Sequence, residues 1–253
     1  MQPDHCYWLC VTPRSGSSLL CQVMAASGVL GKPEEYGLAD NMPADTKPWG
    51  LSAKWSVTDF RTYWARCLEE GTGVNGWFGM KMAPATYLET FLSQVRTLPE
   101  YADKGISTDD LIRDFFGELR LVYLTRRDKL RQAISMVKAL QINLWTSEQD
   151  ETHGTEPAGE LTYDRAAIDA QIRILALAEA AWQDFFTRWN VQPLTLVYED
   201  CSHDYEGTVA RIVDSLGIDD AYTFDASKIS LKRLADEVTE EWVARYWAER
   251  PLG

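Results

Sequence analysis

The chain has 253 residues, 45% of them hydrophobic and 25% charged, and its 25 basic and 38 acidic side chains leave a net charge of −13. That length suits one large α/β domain with an ample core, and so acidic a chain is repelled by nucleic-acid backbones and anionic membranes. An anionic ligand must therefore be held by a local basic cluster acting against the overall field.

Residues 7–12 predict a buried strand and 17–27 the helix after it. The stretch "GVLGKPEEYG" (28–37) holds three Gly and a Pro and reads as a loop. A helix is expected over 57–70, with aromatics at Phe60, Tyr63 and Trp64, then a short strand "WFGMKM" (77–82) and a helix over 86–98. After a short helix at 108–116, "LRLVYLT" (119–125) is the clearest strand. From Asp128 to Trp145 an amphipathic helix carries Leu130, Ala133, Ile134, Val137, Leu140 and Leu144 on one face. The acidic, Gly/Pro-punctuated 147–161 is expected to be a mobile loop. A long helix (164–189), a last strand "PLTLVYED" (193–200) and helices near 204–216 and 236–248 complete the chain. Strands separated by helices predict a mostly parallel sheet covered on both faces, a three-layer α/β/α fold. With no internal repeat, 1–253 reads as one domain.

Five Cys make an odd number with no CxxC, and the three His are far apart, so no metal site is expected. Reduced thiols fit a cytoplasmic protein. Asp4 and His5 stand where a secretory signal needs basic then apolar residues, and no apolar run reaches transmembrane length. Ten Trp are many, and serve either core packing or a sugar-stacking cleft.

Two segments carry the clearest chemistry. "TPRSGSSLL" (12–20) joins the first strand to its helix, where the free N–H groups of a helix start carry partial positive charge. Gly16 lets backbone approach an anion, Ser15, Ser17 and Ser18 add hydroxyls, and Arg14 adds a fork-shaped cation. The alternative is a Ser that merely caps the helix. In "TRRDKLRQAISMVK" (125–138), helical spacing aligns Arg127, Arg131, Ser135 and Lys138 on one stripe, with Arg126 just before the helix and Asp128 able to cap it. Such a stripe is ordinarily a solvated face. Here it leaves a strand end in an acidic chain, and two anion grips at two strand ends suit a ligand with two separated phosphate-like groups.

Together these segments resemble the sulfotransferases, specifically the bacterial Stf0 type. The resemblance rests on Arg14-Ser15-Gly16-Ser17-Ser18-Leu19-Leu20, on Arg126-Arg127-Asp128 followed by Gln132-Ala133-Ile134-Ser135, on "GKPEE", "GMKM" and a closing "EEWVARY", and so spans nearly the whole chain. It implies the P-loop-kinase-like sulfotransferase fold, a homodimer, and 3′-phosphoadenosine 5′-phosphosulfate as sulfuryl donor with no metal. The turn from Arg14 to Leu19 would hold the 5′-phosphosulfate. Arg126, Arg127 and Ser135 would share the 3′-phosphate. The acceptor would be a hydroxyl of a carbohydrate or glycolipid.

The resemblance also implies a Glu as general base in the loop after the first helix, which alignment on Gly31 and Pro33 puts at Glu35, with Glu34 its rival. Lys81, on an otherwise apolar strand, should reach a ligand or a carboxylate. "YED" (198–200) reads as capping and structural. A P-loop kinase shares the fold, but the Gly-Lys-[Ser/Thr] metal grip is missing; a non-catalytic nucleotide-binding module is the other alternative.

Overall fold

In a computed structural model, residues 3–37, 57–83, 86–145, 159–231 and 236–249 are described. Four strands form one sheet in the order β2-β1-β3-β4, every neighbouring pair parallel: β1 (His5–Val11), β2 (Trp77–Met82), β3 (Leu119–Thr125) and β4 (Leu194–Val197). Register pairs Leu9 with Lys81 on one side of β1 and with Val122 on the other. Parallel strands need crossovers, and the helices that supply them cover both faces.

The alternation of β1 sorts its side chains between two cores. Cys6, Trp8 and Cys10 point into an aromatic layer built by α2 (Val57–Gly71), α3 (Thr86–Val95), α4 (Thr108–Phe116) and the end of α6 (Arg165–Trp189). Tyr7, Leu9 and Val11 face α1 (Ser17–Ala25) and α8 (Tyr205–Leu216). A third cluster joins α5 (Lys129–Ile142), α6 and α9 (Glu237–Ala248) through Leu130, Ile134, Ile168, Leu175 and Trp242. The fold is thus α/β, with a fully parallel central sheet between helical layers. Trp8, Trp64 and Trp182 are fully buried, so much of the tryptophan serves packing. All five cysteines are buried. Among the described residues no helix is long and apolar enough to cross a membrane.

Several boundaries differ from the expected ones for local reasons. The helix expected from Asp128 to Trp145 is shorter at both ends. Asp128 is its N-cap, accepting from the Arg131 N–H, and Asn143 ends it in the left-handed region. The last strand stops at Val197, because Tyr198–Cys201 closes a single helical turn, α7. The helix expected to reach Leu98 ends at Val95. Most of the loop expected at 147–161 lies outside the described residues.

Candidate active site

The turn after β1 is built to leave backbone donors open. Arg14 and Gly16 both adopt positive φ, 61° and 83°, which curls the chain and aims it into α1. Gly16 itself is the N-cap of α1 and no side chain caps the helix. The Ser-cap alternative is therefore overturned: the first-turn N–H groups, which have no intrahelical partner, stay available to an anion. A Cβ on Gly16 would lie 2.3 Å from the Tyr198 ring, so only glycine fits.

Three anchors fix this turn from behind. Trp182 donates its indole N–H to Val11 O (2.9 Å), and the fully buried Gln132 of α5 donates Nε2 to Thr12 Oγ1 (3.0 Å) and to Pro13 O (2.7 Å). Arg126, at the end of β3, donates Nη1 to Arg14 O (3.1 Å). The two expected anion grips are thus one connected structure. Arg14 donates Nε to Ser135 Oγ (2.9 Å) and Nη1 to Trp145 O (2.6 Å).

Arg14 and Arg126 share an electrostatic condition. Burial pulls the Arg14 guanidinium below its ordinary range, and the neighbouring Arg126 adds to the effect. Burial pulls Arg126 down in the same way, against the opposing influence of Tyr198, Asp128 and Glu199. Neither has a carboxylate ion pair among the described residues, although the chain is strongly acidic. Two buried polar atoms in these segments, Ser15 Oγ and Arg126 Nε, have no hydrogen-bond partner. Unsatisfied donors beside two desolvated cations are groups that an oxyanion would satisfy. That is the test a phosphosulfate-bearing donor has to meet, and these residues fit it.

The rest of the basic stripe is organised differently. Arg127 is exposed and bound to Asp200 (2.6 Å); Arg131 holds Asp128 (2.5 Å) and Glu240 (2.6 Å). Lys138 is buried against α9, donating to Asp236 Oδ2 (2.6 Å) and Thr239 Oγ1 (3.1 Å). Of the four aligned residues only Ser135 joins Arg14, so the expectation of one continuous basic face is corrected.

On the other side of β1, Lys81 is only 6% exposed. Its ammonium lies 3.3 Å from Glu35 Oε1 and donates to Ser18 Oγ at 3.3 Å. Burial works to lower its pKa, but Cys21, Glu35 and Glu34 together outweigh that and the net shift is upward, so it is a cation at neutral pH. Glu35 is brought here by a backbone bridge: Lys81 N–H donates to Glu34 O (2.9 Å), which turns consecutive side chains apart. Glu34 is exposed, whereas Glu35 is half-buried against Lys81. The nearby Cys21 is no nucleophile, because burial pushes its thiol up to about 12.

Gln132 and Tyr198 are the structural partners that residue-type reasoning passed over. Gln132 stood inside the quoted "QAIS", and Tyr198 inside "YED". Their role lay in contacts to the turn, which no sequence spacing reports.

The sequence relationships agree with this geometry. A profile of the Stf0 sulphotransferase family matches residues 6–249. The chain belongs to the Stf0 sulfotransferase family. Trehalose 2-sulfotransferase of Mycolicibacterium smegmatis is 28% identical over 96% of this chain and 95% of its own. Its namesake from Mycobacterium tuberculosis is 28% identical over 97% and 95%. Among solved structures, a sulfotransferase from Alicyclobacillus acidocaldarius is 13% identical over 96% of this chain and 90% of its own, with a TM-score of 0.49. The assignment of this sulfotransferase rests on the sequence relationships.

Proposed function

We propose that this sulfotransferase moves a sulfuryl group from 3′-phosphoadenosine 5′-phosphosulfate to a hydroxyl of a carbohydrate or glycolipid, without a metal. The observation that carries the donor reading is the pair of buried, unpartnered atoms, Ser15 Oγ and Arg126 Nε, beside two arginines that form no ion pair among the described residues. In this reading Arg14, Ser15, Gly16, Ser17, Ser18 and Leu19 hold the 5′-phosphosulfate, and Arg126 with Ser135 holds the 3′-phosphate. What favours Arg126 over Arg127 is that Arg127 is already engaged by Asp200. The carbohydrate acceptor is supported by the names of the mycobacterial relatives.

The catalytic pair is Glu35 and Lys81. Glu35 takes the acceptor's proton as the new O–S bond forms. Lys81, fixed between Glu35 and Ser18, and Arg14 stabilise the negative charge that grows on the oxygen leaving sulfur. No step needs bound Mg²⁺, which agrees with the missing P-loop lysine motif.

Calorimetric titration is expected to show adenosine 3′,5′-bisphosphate binding in metal-free buffer and raising the melting temperature. Stabilisation by ATP with Mg²⁺ but not by the bisphosphate would sink the reading. A labelled-sulfate transfer screen over sugars, glycolipids and phenols, with trehalose first, identifies the acceptor. On that acceptor Glu35→Gln should keep bisphosphate affinity and lower turnover by roughly 10²–10⁴, while Glu34→Gln does much less. Near-full turnover in Glu35→Gln would move the base elsewhere.

We also read the protein as a cytoplasmic homodimer. The thiols of Cys6, Cys10, Cys21 and Cys201, outside any disulfide, support the compartment, and exposed apolar side chains on α6, Ile174 and Leu177, support self-association. Light scattering at micromolar concentration showing only the 28.7 kDa chain would exclude the dimer.

A further inference from the structure

Three consecutive residues at the end of β4 reach both segments that the donor reading assigns. The Glu199 carboxylate accepts the N–H groups of Arg127 and Asp128, each at 3.0 Å, and so holds the turn from β3 into α5. Asp200 engages Arg127. Tyr198 does something different from either. One part of its ring lies where a Cβ on Gly16 would be, 2.3 Å from Cδ2 and 2.5 Å from Cε2, so the ring lies directly against the turn. Over the same ring stands the Arg126 guanidinium, its Cζ 4.8 Å from the centroid. From that perch Arg126 reaches Arg14 O.

We propose that Tyr198 is the positioning residue of this site: its ring sets where the Arg126 guanidinium stands relative to the Gly16 turn, so that the two grips close on one donor. The inference rests on the reading that these segments bind the donor. The choice of an aromatic ring follows from the charge problem. A desolvated arginine needs an attractive neighbour to hold it still, and a carboxylate would do so most strongly. A carboxylate would also neutralise the cation and repel an incoming anion. A ring face attracts the guanidinium through its quadrupole and leaves the positive charge for the ligand. Its flat edge also fits against a turn that has no side chain to clash. The outer cations Arg127, Arg131 and Lys138, which have no such constraint, are held by carboxylates.

The test is a double-mutant cycle on bisphosphate affinity, measured by calorimetry with melting temperatures recorded alongside. Tyr198→Leu should weaken adenosine 3′,5′-bisphosphate binding by about tenfold, within the range of a desolvated cation–π contact. Tyr198→Phe, which keeps the ring, should bind within about twofold of the parent, since the face acts and not the hydroxyl. In an Arg126→Ala background Tyr198→Leu should change the affinity by less than about twofold, because the group it positions is gone. If Tyr198→Leu does not fold, Tyr198→Met is held to the same tests. Equal losses in the two backgrounds, or a Tyr198→Phe as weak as Tyr198→Leu, would make Tyr198 a packing residue and overturn the inference alone. A parent protein that does not bind the bisphosphate, or whose affinity survives both Arg14→Ala and Arg126→Ala, would overturn the donor reading and this inference with it.

Discussion

The two arginines at the strand ends, Arg14 and Arg126, and the cations that follow Arg126 into α5 are alike in residue type, yet the fold treats them oppositely. Arg14 and Arg126 are desolvated and pushed toward a lower pKa by burial; among the described residues neither forms an ion pair, their direct partners being a hydroxyl, carbonyl oxygens and a ring, with Asp128 and Glu199 acting on Arg126 from further off. Arg127, Arg131 and Lys138 each meet a carboxylate supplied from a distant part of the chain: Asp200, Glu240 and Asp236. A buried cation without its counter-ion is unfavourable in the free protein and becomes favourable once an anion arrives. An acidic chain can therefore keep an anion site by withholding carboxylates from one place.

Supplying the missing counter-ion should break the contrast most severely. Ser135→Asp puts a carboxylate beside Arg14, whose Nε now donates to Ser135 Oγ at 2.9 Å. The variant should melt higher than the parent in the absence of ligand, and like-charge repulsion of several kcal/mol should weaken bisphosphate binding by roughly a hundredfold or more. A Ser135→Asp protein that binds like the parent would show that Arg14 and Ser135 do not face the donor. Removing the cation should come next: Arg14→Ala loses a charged hydrogen bond of roughly 1.5–3 kcal/mol, a tenfold to hundredfold loss in affinity, while Ser135→Ala loses less.

The outer cations should give the smallest effect on ligand and the clearest one on stability. Lys138→Met ought to leave bisphosphate affinity within about twofold and lower the melting temperature by about 2 °C, the scale of an ion pair whose carboxylate is half exposed in a chain of this size. The deficit has a definite pH sense. Burial tends to raise the Asp236 carboxyl, but Lys138 and Thr239 prevail and hold it below its ordinary range. Its stabilising contribution is thus present above the unfolded carboxylate pKa and is lost as pH falls through the folded one. The gap in melting temperature between parent and variant should begin to close only as pH falls below the unfolded carboxylate value of about 4, and should vanish below the lower folded one. A deficit that persists in acid would point to lost packing of the lysine stem instead.

The sequence was informative wherever chemistry is local. Strand 119–125, the turn from Arg14 to Ser18 and the cap at Asp128 depend on neighbours a few residues away, and all are found as expected. Periodicity could not see α7, since a single turn from Tyr198 to Cys201 is too short to repeat. The stripe on α5 was legible as residue types but not as partners. Lys138 looks solvent-facing on a helical wheel until Asp236 and Thr239 of the α9 start cover it. Gln132 and Tyr198 carry no charge signal, and their value lies in reaching the turn across 119 and 182 residues of chain respectively. The Glu34–Glu35 ambiguity is geometric as well, because only the bridge from Lys81 N to Glu34 O decides which carboxylate turns inward.

The central claim is that Arg14 and Arg126 form no ion pair among the described residues because the donor's anionic groups complete the site. Its most direct test is the number of salt-sensitive charge contacts formed on binding. Titrating adenosine 3′,5′-bisphosphate into metal-free parent protein across ionic strengths, and repeating the series with Arg14→Ala, Arg126→Ala and Arg131→Ala, separates the two classes of cation. The account predicts that the first two variants lose affinity and flatten the salt dependence, while Arg131→Ala reproduces the parent curve. Parent-like curves for Arg14→Ala and Arg126→Ala, with the loss appearing in Arg131→Ala, would contradict it.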